Sequence, residues 1–252
     1  MRIVDLSHTI ESLPADTPHF LRVEVSYSDH AAGAREMEAA FGVPPRLMRD
    51  GEGPSGEALS IGTHAATHVD APYHYNSHIQ GAPAQTIDEL PLEQFYGPGV
   101  VVDFRHKSDG DAVSVEEMNH AIGDADHELR PADIVLVRTG RDAFYHEPDY
   151  MLRGCGVSPE ATRWLYERGV SVMGIDAWSW DAPLDRQAAL ALERNEPGIF
   201  WGAHQVDLPY CQIERLTNLG ALPSSGFIVA CFPLKIKGAS AGPARAVAIL
   251  AD

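Results

Sequence analysis

The sequence predicts an α/β fold. Short apolar runs of the kind that form buried strands recur through the middle of the chain. Between them lie segments with helix start signals, so strand and helix alternate. No apolar run approaches the ~20 residues of a membrane span.

The elements follow in order. Residues 2–6 read as a first strand, running into Ser7-His8-Thr9-Ile10. Residues 11–58 are rich in Pro, Gly and charge and are expected to form a long irregular arm, with one helix near residues 34–41. An arm of that length is usually functional or an oligomer contact. Residues 99–104 (GVVVDF) and 133–138 (DIVLVR) are buried strands, and residues 114–122 between them are a helix. Ser114 is its N-cap, and Glu117, three residues on, completes a capping box. Ser158-Pro159-Glu160 opens a further helix with Pro159 at the first helical position. Gly169 ends it, and residues 170–175 return as a strand. Residues 227–232 and 244–250 supply two more strands. No interdomain linker or internal repeat is evident, so residues 1–252 read as a single domain.

Composition narrows the function. The chain has 252 residues, 44% of them hydrophobic and 22% charged, as in ordinary globular proteins. A net charge of −17 opposes binding to nucleic acid or anionic membranes and says nothing more specific about a substrate. Cys155, Cys211 and Cys231 lack CxxC spacing and read as reduced, buried thiols of a cytoplasmic protein. The N-terminal residues show no signal-peptide pattern. There is no GxGxxG, P-loop or GxSxG motif, which leaves nucleotide binding and serine hydrolysis without support.

The most informative stretch is His64-Ala65-Ala66-Thr67-His68-Val69-Asp70-Ala71-Pro72-Tyr73-His74. Imidazole and carboxylate are the ligands zinc and manganese take in catalytic sites. On a helix, Asp70 and His74 point away from the face shared by His64 and His68. On a strand all four share one side, but at roughly 3.3 Å per residue His64 and His68 lie about 13 Å apart. The spacing therefore predicts a curl at Ala65-Ala66, then an extended run through Asp70 stopped by Pro72. His64, His68 and Asp70 then converge, with His74 one step further out. His19, His30, His106, His120, His127 and His146 stand in polar sequence and read as solvated; His78 reads as a loop residue.

A second cluster lies far along the chain: His204, then Gln212 and Glu214 on one side of an extended run. Taken alone it is weak, a surface glutamate on a strand being the commoner case. The loop Asp176-Ala177-Trp178-Ser179-Trp180-Asp181 follows a predicted strand, where α/β folds place ligand loops. Its two indoles could stack on a planar substrate or serve as core.

These residues resemble the cyclase-like metal hydrolases, which include bacterial kynurenine formamidase and isatin hydrolase and carry the signature HxGTHxDxPxH. Residues 64–74 match at every polar position, with Ala66 where glycine is usual. Asp5-Leu6-Ser7-His8, residues 213–219 and residues 231–242 extend the resemblance over nearly the whole chain. It implies a swivelling β/β/α-type α/β domain with a mixed, barrel-like central sheet. It implies His64, His68 and Asp70 as metal ligands, and His74 as a second-metal ligand or an acid/base. His204 and Glu214 match the later histidine and glutamate that complete the site, as acid/base groups. Gln212 resembles a glutamine that joins manganese in isatin-hydrolase-type members, so Gln212 and Glu214 compete for one role. The implied cofactor is a divalent ion, Mn2+ or Zn2+, and the implied assembly is a homodimer or homotetramer whose arm reaches a neighbour's site.

The implied reaction is hydrolysis of a C–N amide bond in a small, aromatic substrate, an N-formyl amide or a cyclic amide such as isatin. A lactone or cyclic imide hydrolase or dehydratase, and a metal-binding module without turnover, are the alternatives. Structural zinc sites are usually closed and Cys-rich, which disfavours the last.

Overall fold

The computed structural model describes residues 1–14, 17 and 22–251; His19 lies outside them. The chain divides into two compact units, Met1–Thr9 with Ala66–Asp252, and Ile10–Ala65.

The larger unit is built on a nine-stranded mixed sheet, the barrel-like α/β architecture expected. Four central strands, Tyr96–Asp103, Ile134–Arg138, Val172–Ile175 and Cys211–Glu214, run parallel and adjacent in that order. Antiparallel strands extend both flanks. Phe227–Ala230, Val247–Leu250 and Arg2–Asp5 lie beyond Tyr96–Asp103, and His68–Asp70 and Ala241–Pro243 lie beyond Cys211–Glu214.

The apolar runs are continuous because both sheet faces are covered. Val100, Val102, Val135, Val137, Met173 and Ile175 feed one core, while the alternate residues Val101, Ile134, Leu136 and Val172 feed the other. Two helices cover the first face. Val115–Asp124 inserts Met118 and Ile122, and Pro159–Tyr166 inserts Ala161 and Leu165. Both start as predicted. Ser114 and Glu117 form the reciprocal capping box, and Ser158 caps a helix with Pro159 in its first turn.

Two segments depart from expectation. The helix Leu184–Arg194, for which the sequence reading had no element, has no fully buried residue and no side-chain cap at Pro183. The smaller unit, read as an irregular arm, pairs strands Val23–Ser28 and Gly56–Ile61 along six residues and holds the helix His30–Phe41. Its strands lie nearly thirty residues apart with mostly exposed side chains, so no hairpin or alternation marked them.

All three cysteines are free and buried, and burial raises each thiol, Cys155 and Cys231 to about 12. They stay protonated at neutral pH and are poor nucleophiles. Among the described residues no helix is long and apolar enough to cross a membrane.

Candidate metal centre

The predicted curl is present at Ala66, whose φ of 50° is left-handed. From there the chain becomes the three-residue strand His68–Asp70, and Pro72 begins the one-turn helix Pro72–Tyr75 that carries His74. Thr67 holds the bend. Its hydroxyl donates to the Arg215 carbonyl at 2.5 Å and accepts the His8 amide at 2.9 Å. One buried side chain thus joins the N-terminal segment, the histidine motif and the end of the Cys211–Glu214 strand.

Register then sets the face. In the antiparallel pairing, Gln212 stands opposite Asp70 and Glu214 opposite His68. Residues directly opposite point to the same side, so these four share one face. All four are buried, and Glu214, with His68 opposite, ends its parallel strand at the usual ligand edge of an α/β sheet.

His68 Nδ1 lies 2.9 Å from the Ala66 carbonyl, which can only accept, so Nδ1 carries the proton and Nε2 presents its lone pair. That Nε2 lies 3.2 Å from Asp70 Oδ1 and 3.7 Å from Glu214 Oε2. His68, Asp70 and Glu214 bring one donor atom each within 4.8 Å of one another, a spacing that fits a single cation. His74 Nε2 lies 3.9 Å from Asp70 Oδ2. Gln212 donates from its amide nitrogen to the Tyr210 hydroxyl, which leaves Oε1 as a buried acceptor without a hydrogen-bond partner. A set of lone pairs and carboxylate oxygens with one orphaned amide oxygen suits a hard divalent ion. His64 lies half-buried at the end of the smaller unit, in the turn after Gly56–Ile61.

His204 belongs to the same neighbourhood. Its Nε2 is 3.6 Å from Glu214 Oε1, and its Nδ1 is 2.5 Å from Asp181 Oδ2. Burial lowers the imidazole pKa, but the hydrogen bond and charge of Asp181, with Glu214 and Asp70 behind, outweigh it and raise the value. Burial raises Asp181, yet the His204 bond and charge and the amides of Ala203 and His204 bring it below the usual carboxylate range. Glu214 is tethered through Oε1 by the Trp180 amide at 2.9 Å, which leaves Oε2 facing His68.

Sequence reasoning missed Asp181 as the partner of His204, and missed Trp201, whose ring stacks on His204. The signal for Asp181 was its place in the loop after the Val172–Ile175 strand. Within that loop Trp180 is fully buried and its indole N–H donates to Thr162, so it anchors the core and is no substrate platform. Trp178 is half-buried, with the Arg215 guanidinium 5.0 Å from its ring centre.

Comparison with known proteins gives the family. The Cyclase family matches residues 4–182, most of the chain. The chain belongs to the cyclase family. This cyclase-family chain is 33% identical over 192 residues to the kynurenine formamidase of Paracidovorax citrulli, covering 75% of this chain and 77% of that protein. It is 32% identical over 194 residues to the kynurenine formamidase of Salinibacter ruber, with the same coverage. Among solved structures it resembles isatin hydrolase A from Labrenzia aggregata bound to benzyl benzoate, with a TM-score of 0.76 and 25% identity over 100% of this chain and 94% of that one. Within the family it is an amidohydrolase acting on C–N bonds.

Proposed function

We propose that this amidohydrolase opens the C–N bond of a small aromatic amide, an N-formyl amide or a cyclic amide such as isatin, at a divalent-metal centre. The observation that carries the reading is the Nδ1–Ala66 bond, which turns the His68 lone pair onto the carboxylates of Asp70 and Glu214. His68, Asp70 and Glu214 hold the ion, and His64 joins them by its place in the motif. Gln212 offers its orphaned Oε1 from the same face.

A bound Mn2+ or Zn2+ would supply Lewis acidity, polarising the amide carbonyl and lowering the pKa of water toward neutrality. Asp70 lowers the net charge of the centre. His74, partly exposed and beside Asp70, takes the proton of the attacking water and returns it to the leaving nitrogen. His204, fixed by Asp181, holds Glu214 in place and stands as the alternative proton carrier. The rings of Tyr75, Tyr210 and Trp201 pack around His74 and His204.

The test is turnover of N-formyl aromatic amides, isatin-like cyclic amides and lactones by enzyme loaded with Mn2+ or Zn2+. Cleavage of the aromatic amides supports the reading. Turnover of a lactone alone contradicts it.

A further inference from the structure

Trp201 packs against both acid/base histidines. Its indole stacks on His204 at 4.6 Å between centroids and 22° between planes, and His74 meets it edge-on at 5.0 Å and 89°. Two histidines from distant segments therefore pack on one indole. The residue is still half-buried, so part of its surface is open to a ligand.

Its backbone is costly. Trp201 has a φ of 62°, a left-handed conformation rare for a bulky side chain. The surrounding structure fixes that conformation from both ends. Its amide donates to Gln187 Oε1 at 2.5 Å, and its carbonyl accepts the Gln205 amide at 3.1 Å. Gln187 is itself locked, because its amide nitrogen donates to Asp181 Oδ1 at 3.0 Å and to the Ala182 carbonyl at 2.8 Å. One glutamine on the helix Leu184–Arg194 thus ties Trp201 to the carboxylate that orients His204. A strained backbone held in place by its hydrogen bonds, beside acid/base groups, is a ground for a hypothesis of function.

We propose that Trp201 is the specificity-determining residue, the wall against which the flat ring of the substrate lies, and that Gln187 sets its position. This deepens the amide-hydrolase reading above and rests on it. Offset stacking of a planar group on an indole favours aromatic over saturated rings of the same carbon count, by roughly tenfold at most. A tryptophan that only covered His204 would affect both kinds of ring alike.

The experiment compares kcat/KM for N-phenylformamide and N-cyclohexylformamide in metal-loaded wild type, Trp201→Leu, Trp201→Phe and Gln187→Leu. The ratio of the two, taken relative to wild type, cancels the intrinsic difference in leaving group. The expected result is a preference for the phenyl substrate that falls about tenfold in Trp201→Leu, survives in Trp201→Phe and falls partway in Gln187→Leu. Equal losses on both substrates, or an unchanged ratio, overturn the proposal. If Trp201→Leu does not fold by circular dichroism, Trp201→Phe and Gln187→Leu decide it on the same ratio. If wild type cleaves neither compound, the amide-hydrolase reading fails, and calorimetric affinity for N-phenylformamide then judges the wall alone. Binding weakened by Trp201→Leu but kept by Trp201→Phe supports it; no binding by wild type, or unchanged affinity, overturns it.

Discussion

His204 Nδ1 sits 2.5 Å from Asp181 Oδ2, and the two oxygens of that carboxylate also receive the backbone amides of Ala203 and His204. The aspartate therefore fixes which imidazole nitrogen carries the proton and turns Nε2 toward Glu214.

Removing that partner is expected to slow the enzyme without unfolding it. Asp181→Ala lowers kcat/KM by roughly 10- to 100-fold, the range for losing a carboxylate behind a functional histidine. Asp181→Asn, whose carbonyl can still accept from Nδ1, loses less. Steady-state kinetics on the metal-loaded enzyme check this, and equal losses in the two variants contradict an orienting role.

Thr67 is expected to matter through its hydroxyl. Thr67→Val keeps the shape but strands the buried Arg215 carbonyl and the His8 amide, at about 1–3 kcal/mol. Thr67→Ser keeps both bonds and most of the stability. Urea unfolding distinguishes them, and equal midpoints for wild type and Thr67→Val count against the pin.

Asp176 predicts a pH dependence of unusual sign. Burial raises its pKa from 3.8 to about 6, against the lowering effect of bonds from the Thr139 hydroxyl and amide and the Gly140 amide. A carboxylate raised in the folded state binds its proton more tightly there. Its contribution is full below pH 3.8 and is lost as pH rises through about 6. The loss is on the order of 3 kcal/mol as an upper bound. The stability of wild type minus that of Asp176→Asn, measured by urea unfolding from pH 4 to pH 7, should therefore fall as pH rises. A difference that is flat or rises with pH refutes the assignment.

The fold was legible wherever local chemistry and burial agreed. Ser114 with Glu117 and Ser158 with Pro159 marked two helices, and the valine-rich runs marked strands covered on both faces. The helix around Gln187 was missed: it has no fully buried residue and no capping side chain to mark its start. In the site, the density of His64, His68, Asp70 and His74 and the curl at Ala66 could be read from spacing, since ligand geometry excludes both a regular helix and a regular strand. Asp181 offered only its place in the loop after the Val172–Ile175 strand, and Trp201 offered nothing. Their roles depend on strand order and on a left-handed turn, neither of which leaves a periodic trace. Gln212 and Glu214 could be set on one side of their strand, but bringing Asp70 and His68 opposite them needed register.

The metal content of purified protein, measured by mass spectrometry on wild type, His68→Ala and Asp70→Asn after dialysis against Mn2+ or Zn2+, tests the central claim most directly. The account predicts bound metal in wild type and its loss, with activity, in both variants whose folds are intact by circular dichroism. Wild-type metal content and full turnover in His68→Ala would contradict it.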